Sequence, residues 1–191
     1  MSVVLARVDN RLIHGQVLEA WIPRLDAGIV IVVDDGIAGD PLRQTIMEIA
    51  VPSQINCRFV SVDALKETLD AVNVPNQRVV VLFSGIKDVR DTLRMGVPID
   101  RINIGNVHYQ RGKKRVTQYV SLDEDEIHWL MEIERRAQVE IQALPDDTPL
   151  RFPDLLEGGD GSGPLQLEKR RWWERWREWF HIKRDLPQKR V

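Results

Sequence analysis

Short apolar runs rich in β-branched residues recur along this chain, and segments with helical spacing follow them. The first four runs occupy residues 2–6, 28–33, 57–61 and 78–83, and helical patterns occupy 41–50, 63–69 and 89–95. Strands that alternate with helices in this way form a mainly parallel sheet with helices on both faces.

The rest of the pattern is more polar but continues the alternation. Residues 102–105 predict a fifth strand, and residues 115–121 alternate well enough to predict a sixth, at a sheet edge. Acidic residues from Asp123 onward predict the start of a helix that runs to about residue 137, before a last strand at 139–143. The predicted fold is an α/β sandwich with an open sheet of about seven strands.

One loop of this pattern concentrates charged residues. Residues 7–17 read RVDNRLIHGQV and place His14 between Arg7 and Arg11 on one side and Gly15 on the other. A neutral imidazole is a nucleophile, guanidinium groups bind phosphoryl oxygens, and the carboxyl end of a strand is where open α/β sheets bind ligands. Asp9 can orient the ring or an arginine. The pattern therefore indicates a phosphohistidine site, although a solvated histidine beside a surface ion-pair cluster also fits it.

The segment RVDNRLIHGQV resembles the active-site signature of the IIB component of the mannose/fructose/sorbose family of the bacterial phosphoenolpyruvate-dependent sugar phosphotransferase system. Segments 32–40, 96–99, 102–107 and 112–117 occur in the order and spacing of that family. The resemblance therefore covers about residues 1–145.

The resemblance implies a function for His14. It would accept a phosphoryl group from a phosphohistidine on a IIA protein and pass it to a sugar that the membrane IIC and IID proteins carry inward. Nδ1 would be the phosphorylated nitrogen, and Arg7 and Arg11 would stabilise the charge. No cofactor is needed when the donor is a phosphoprotein.

Further residues are predicted to support the site. Four are expected to bind the phosphoryl group, namely Asn10, Gly15, Gln16 and Ser84. The Ser84-Gly85 turn differs in sequence from the corresponding turn of many family members. Asp34 and Asp35 end the second strand, and without a third ligand they favour helix capping, or pairing with Arg7 or Arg11, over a metal site.

The other histidines and the basic residues favour ordinary roles. His108 is expected to have a structural or partner-contact role, and His128 to be packed or solvated, because neither has zinc-like spacing to other ligands. Arg111, Lys113, Lys114 and Arg115 form either a solvated loop or a docking surface for an acidic partner. Nucleic acid is not expected as a partner, because the chain without its C-terminal tail is acidic.

Composition predicts a cytoplasmic protein. The 191 residues are 43% hydrophobic with a net charge of −2, and no apolar run reaches the ~18 residues that a membrane span requires. The N-terminus has no signal-peptide pattern. The single Cys57 cannot form an internal disulfide and is expected to be a core thiol.

The C-terminal part leaves the family pattern. Residues 1–144 are expected to form the phosphotransfer domain, 145–164 a flexible linker, and 165–191 a basic, Trp-rich amphipathic helix. Such a helix can lie in a membrane interface at the inner face of the cell membrane, dock in a partner's groove, or fold back on its own domain.

A second function stays open at this point. The unusual Ser84-Gly85 turn and the added helix also fit a phosphorylation-responsive regulator, derived from a IIB subunit and no longer committed to sugar transport. Neighbouring genes for IIC and IID proteins would favour transport, and their absence would favour regulation.

Overall fold

The computed structural model describes residues 2–72 and 76–157. Strands and helices alternate over most of this length. The strands are β1 (Ser2–Asp9), β2 (Ile29–Val33), β3 (Asn56–Val60), β4 (Arg78–Phe83), β5 (Arg101–Asn106), β6 (Lys114–Arg115), β7 (Ser121–Leu122), β8 (Gln138–Ile141) and β9 (Leu150–Arg151). The helices are α1 (Ile22–Leu25), α2 (Asp35–Ala38), α3 (Pro41–Ala50), α4 (Leu65–Ala71), α5 (Ile86–Arg94), α6 (Glu124–Ile133) and α7 (Phe152–Glu157), and a π-helical turn, Gln16–Trp21, precedes α1.

Seven strands form one sheet in the order β3-β2-β4-β1-β5-β8-β9. All neighbouring pairs are parallel except β8 and β9. The predicted fold class, an open and mainly parallel α/β sheet of about seven strands, is confirmed. Because β1 lies between β4 and β5, the loop that follows it is flanked by the ends of two other parallel strands.

The sheet separates two apolar cores. In β4, Val79, Val81 and Phe83 pack in one core, whereas Val80 and Leu82 pack in the other. This alternation follows from the period of two in a strand, which sends successive side chains to opposite faces. Helices cover both faces, and the π-helical turn and α1 lie on the face that contains Val80 and Leu82.

Aspartates define the start of three helices. Asp34 and Asp40 accept hydrogen bonds from the first turns of α2 and α3. Asp123 and Glu126 form a capping box at α6, so the acidic start predicted for that helix is confirmed. The helix ends at Ile133, earlier than predicted.

The predicted sixth strand at 115–121 is wrong. The segment folds back on itself as a hairpin in which β6 pairs with β7, outside the main sheet. The Thr117 hydroxyl accepts hydrogen bonds from the backbone of Tyr119 and Val120, which stabilises the tight turn. Local side-chain bonds therefore override the alternating pattern.

Residues 150–157, which the sequence analysis assigned to a linker, form two secondary-structure elements. Strand β9 pairs antiparallel with β8, and α7 follows it, with Phe152 and Leu155 buried in the core. The burial of these two side chains explains why the segment orders despite its polar composition. The folded domain therefore extends beyond residue 144, and the predicted Trp-rich helix at 165–191 lies outside the described residues.

Replacing Phe152 with alanine tests whether this segment belongs to the domain. Phe152 is 1% exposed, so we expect its truncation to lower the free energy of unfolding by about 3–5 kcal/mol. Urea denaturation measures the change, and Leu150→Ala, at an exposed position of β9, is the matched control. A Phe152 variant as stable as the control would mean that the segment contributes nothing to the core.

Two other expectations concern single features. Cys57 is partly buried beside the core that contains Val80, and burial raises the pKa of its thiol to about 12, as expected of an unreactive thiol. Among the described helices, none is both long and apolar enough to cross a membrane.

Candidate active site

The candidate site lies in the loop between β1 and the π-helical turn. The Leu12 amide donates to the Asp9 carbonyl at 2.9 Å, and Leu12 adopts a left-handed conformation with φ of 56°. Leucine rarely adopts this conformation, and here its buried side chain holds the loop against the core. The loop therefore has a defined shape that brings His14 back toward the end of β1.

Asp9 is the centre of the hydrogen-bond network. Its Oδ2 lies 3.0 Å from Arg7 Nη2 and 3.0 Å from His14 Nε2, and its Oδ1 accepts from the Arg11 amide at 3.1 Å. The Arg11 Nε lies 3.4 Å from the same Oδ1. One buried carboxylate thus contacts both arginines and the histidine that were predicted for this site.

Asp9 is ionised although its side chain is 0% exposed. Burial on its own would raise the pKa of this carboxyl group, but the His14 hydrogen bond and the Arg7 charge outweigh it and hold the pKa below its usual value. The carboxylate therefore stays charged and accepts a hydrogen bond from the imidazole.

Arg7 lies behind Asp9, away from solvent. Its guanidinium is 0% exposed and donates to the Asn103 side chain and to the carbonyls of Gln142 and Ala143, besides Asp9. It also lies over the Trp21 ring, 5.2 Å from the ring centroid. The sequence predicted a contact between Arg7 and the phosphoryl group, whereas this geometry favours a role in positioning Asp9.

Gly105 is required for this arrangement. An ideal Cβ at Gly105 would lie 1.8 Å from Arg7 Cζ and 2.0 Å from Arg7 Nη2. The guanidinium therefore packs directly against the backbone of β5, which only glycine permits at this position. The register of β1 and β5, in which Arg7 lies beside Asn103, brings these residues together.

His14 presents one ring nitrogen outside the Asp9 contact. Because Nε2 lies against a carboxylate, the ring proton is on Nε2. The Nδ1 lone pair then faces the backbone N–H of Gln16, with 3.3 Å between the two nitrogens. Burial lowers the pKa of His14 and outweighs the opposing effect of Asp9. The side chain is 15% exposed, so a neutral imidazole with an unprotonated Nδ1 remains within reach of solvent.

Arg11 is the more accessible arginine of the pair. Its side chain is 40% exposed, and Nη2 donates to the Gln16 side chain at 2.7 Å. Gln16 therefore contacts His14 through its backbone N–H and Arg11 through its side-chain oxygen. This arrangement places the positive charge of Arg11 in the same loop as His14.

Asn10 and Ser84 connect the loop to neighbouring strands. Asn10 Nδ2 donates to the Ser84 carbonyl at 2.6 Å, and Asn10 Oδ1 accepts from the His108 amide at 2.7 Å. The Ser84 hydroxyl donates to Asp88 at 3.1 Å, so a phosphate contact from it would require that bond to break. Gly15 is exposed at the start of the π-helical turn.

Asp34 and Asp35 lie beside α2 rather than beside the arginines. Asp34 caps α2 by accepting from the Ile37 amide at 2.8 Å, as the capping interpretation predicted. Asp35 accepts from the Val62 amide at 2.9 Å and so ties α2 to the end of β3. Within the described residues, no group of three or more potential metal ligands was found.

The other two described histidines and the basic cluster at 111–115 lie mostly on the surface. His108 and His128 are exposed. Lys113 Nζ forms a salt bridge with Glu126 Oε1 at 2.6 Å. The exposed members of the basic cluster are therefore Arg111, Lys114 and Arg115.

The sequence analysis did not single out three residues of β5 that build the site. Asn103 binds Arg7, Gly105 leaves room for the guanidinium, and Asn106 lies beside Asp9 and Arg11. The signal that could have identified them is the presence of polar residues and a glycine within an apolar strand. Buried strands disfavour both, so their presence indicates polar partners and a close approach to the backbone.

Comparisons with known proteins identify the family of this chain. The family model "PTS system sorbose subfamily IIB component" matches residues 3–161. The fructose-specific EIIB component of the PTS system of Bacillus subtilis (strain 168) is 31% identical over 157 residues, which cover 82% of this chain and 96% of that protein. The N-acetylgalactosamine-specific phosphotransferase enzyme IIB component 2 of Escherichia coli (strain K12) is 33% identical over 159 residues, covering 81% and 99%.

A solved structure agrees as well. The crystal structure of the IIBSor domain of the sorbose permease from Klebsiella pneumoniae matches with a TM-score of 0.74 and 30% identity, covering 81% of this chain and 95% of that one. The resemblance seen in residues 7–17 is therefore confirmed over most of the chain. This chain belongs to the sorbose-subfamily IIB components of the phosphotransferase system.

Proposed function

We propose that His14 is the phosphoacceptor of this IIB component, that the donor is a phosphohistidine on a IIA protein, and that the group passes to a sugar during uptake through IIC and IID proteins. The observation that carries the proposal is the Asp9–His14 pair, which holds Nε2 and leaves Nδ1 unprotonated. The two relatives are named as fructose-specific and N-acetylgalactosamine-specific components, which supports a sugar as the final acceptor.

The first transfer uses Nδ1 as the nucleophile. Its lone pair forms the bond to phosphorus while the bond from phosphorus to the donor nitrogen breaks, and the electron pair of that bond stays on the donor ring. Attack at Nε2 is disfavoured, because it would place the phosphoryl group against the Asp9 carboxylate. Nδ1 is therefore the reacting nitrogen in this proposal.

Asp9 stabilises the product of that step. Phosphorylation at Nδ1 with the proton kept on Nε2 makes the ring cationic, and the carboxylate at 3.0 Å offsets this charge. A ring that keeps its Nε2 proton also leaves as a neutral imidazole in the second transfer. At that step the sugar oxygen bonds to phosphorus, the N–P bond breaks toward Nδ1, and the hydroxyl proton passes to water.

Gln16 and Arg11 are the candidate phosphate ligands. The backbone N–H of Gln16 loses its bond to Nδ1 when phosphorus bonds to that nitrogen. It then lies within reach of a phosphoryl oxygen. Arg11, which is bonded to the Gln16 side chain, supplies the neighbouring positive charge. Arg7 acts through Asp9.

Replacing His14 with alanine tests the proposal. The full chain is incubated with labelled phosphoenolpyruvate, the upstream phosphocarriers and a IIA protein, and acid-labile label on the protein is measured. We expect His14→Ala to lose the label completely, because the other two histidines that the structure describes, His108 and His128, are exposed and lack this environment. His128→Ala, which removes an exposed histidine of α6, is the matched control and should be labelled like wild type.

Label that persists in His14→Ala would contradict the proposal. A second measurement separates transport from regulation. Labelled protein is mixed with sugar and membranes that contain IIC and IID proteins, and loss of protein label with formation of a sugar phosphate supports the transport role. A stable phosphoprotein under these conditions would favour the regulatory alternative.

A further inference from the structure

Asn106 is a buried polar residue next to the candidate active site. It ends β5, is 5% exposed, and pairs in register with Asp9 across β1 and β5. One end of its side-chain amide lies 3.5 Å from Asp9 Oδ1 and 3.4 Å from His108 Nδ1. A buried amide at this position needs partners for both of its ends.

Hydrogen-bond chemistry sets the orientation of this amide. With its oxygen toward Arg11, Oδ1 accepts from Arg11 Nε at 2.9 Å, and Nδ2 donates to the Tyr119 carbonyl at 2.9 Å. The reverse orientation would set the amide oxygen against the Tyr119 carbonyl and the amide nitrogen against the Arg11 N–H. The reverse orientation would gain only long bonds from Nδ2, of 3.5 Å to Asp9 Oδ1 and 3.4 Å to His108 Nδ1. The first orientation gives each end a partner at 2.9 Å and is therefore favoured.

Four contacts then hold Arg11 in one geometry. Its backbone amide donates to Asp9, and its Nη2 donates to Gln16. Its Nε donates to Asn106 Oδ1 at 2.9 Å and makes a longer contact of 3.4 Å with Asp9 Oδ1, so Asn106 is the nearer partner of this nitrogen. No hydrogen bond from Nη1 to another described residue was found, and the side chain is 40% exposed. The planar guanidinium is thus fixed along one edge while the remaining nitrogen is free to meet an anion.

We propose that Asn106 is a positioning residue that holds the Arg11 guanidinium in place to receive the phosphoryl group transferred to His14. This inference rests on the proposed function of His14. An arginine as exposed as Arg11 would otherwise sample many rotamers, and holding it beforehand lowers the entropy lost when the phosphoryl group arrives. Asn106 does not touch the phosphoryl group and acts through Arg11.

A purely structural role for Asn106 predicts a different result. The Nδ2 bond to the Tyr119 carbonyl also connects β5 to the hairpin of β6 and β7. If that connection were the whole role, removing the side chain would lower stability, and any effect on phosphotransfer would not depend on Arg11. A double-mutant cycle separates the two roles.

The cycle compares wild type, Asn106→Ala, Arg11→Ala and the double variant as full chains. The measured quantity is the second-order rate constant for labelling by a phosphorylated IIA protein, with thermal unfolding recorded for each variant. We expect Asn106→Ala to slow labelling roughly tenfold in the wild-type background, as loss of a hydrogen bond to a charged group implies, and less than about twofold in the Arg11→Ala background. Asn56→Ala, at an exposed position of β3, is the matched control.

Two results would overturn the inference: no change in the Asn106→Ala rate, or the same fold-change with and without Arg11. Failure of the underlying function looks different, because labelling would then survive in His14→Ala. Phosphoramidate as a protein-free donor gives a second reading of the cycle. Coupling that persists with this donor locates the effect at the phosphoryl site, and coupling that vanishes would mean that Asn106 affects docking of the IIA protein instead.

Discussion

Replacing Asp9 with asparagine is expected to slow phosphorylation of His14 by roughly 100-fold or more, because the carboxylate orients the ring and balances its charge after transfer. The same change leaves the Arg7 guanidinium buried without its charged partner. Breaking a buried ion pair on one side costs about 3–5 kcal/mol, so we expect a comparable fall in the free energy of unfolding. Rapid-quench labelling and urea denaturation measure the two effects separately.

The pH dependence of the rate distinguishes the role of Asp9 on the ring from its role in stability. Because burial lowers the pKa of His14, the wild-type rate should stay constant as the pH falls through about 6.5, the ordinary histidine value, and decline only in more acidic solution. Asp9 opposes this shift, so Asp9→Asn should move the decline to still lower pH. A decline at higher pH in the variant would contradict this account.

The free energy of unfolding should also depend on pH, because the pKa of Asp9 is lowered in the folded state. A group with a lowered pKa in the folded state stabilises the fold above its unfolded pKa, and this contribution is lost as the pH falls through the folded value. For Asp9 the loss therefore occurs below about 4 in the wild type and is absent from the Asp9→Asn variant.

The control for these experiments is Asp35→Asn. It makes the same chemical change after β2, a parallel strand that β4 separates from β1, and its carboxylate accepts from the Val62 amide and not from a cation. We expect its labelling rate to equal that of wild type. A similar loss of rate in both variants would mean that the effect of Asp9 arises from net charge and not from contact with His14.

Residues close together in sequence were the predictable part of this site. Asp9 and His14 are five residues apart, and the strand that precedes them places both at the carboxyl end of β1. The strand Arg78–Phe83 was predicted with its observed bounds, because every residue after Arg78 is apolar and buried. Local patterns of this kind carry their own structural information.

Contacts made across the sheet were not predictable in the same way. Asn103 is 96 residues from Arg7, and the Ala143 carbonyl that Arg7 also binds is 136 residues away. These contacts exist because β1 pairs with β5 and β5 pairs with β8, and neither register can be read from one sequence. For the same reason Arg7 was expected to contact the phosphoryl group, and β9 was included in the expected linker at 145–164.

Replacing Gly105 with alanine should have the largest effect on the fold. The added methyl group would lie 1.8 Å from Arg7 Cζ, so the guanidinium must leave its position. Overpacking costs about 1–3 kcal/mol, and losing the Arg7–Asp9 pair adds about 3 kcal/mol or more, so the free energy of unfolding should fall by about 4 kcal/mol or more. Urea denaturation checks the fall, and Gly28→Ala, whose Cβ meets no atom closer than 3.9 Å, is the control.

A second substitution keeps this prediction testable when Gly105→Ala alone does not fold. Arg7→Met removes the guanidinium and leaves a flexible apolar side chain beside the Trp21 ring, so the added methyl group has room. Gly105→Ala in the Arg7→Met background should therefore cost less than about 1 kcal/mol relative to Arg7→Met alone. If the alanine costs as much in both backgrounds, the glycine is required by the strand backbone and not by Arg7. If it costs little only when the guanidinium is absent, the close approach of Arg7 to β5 is what orders Asp9, and through Asp9 the His14 ring.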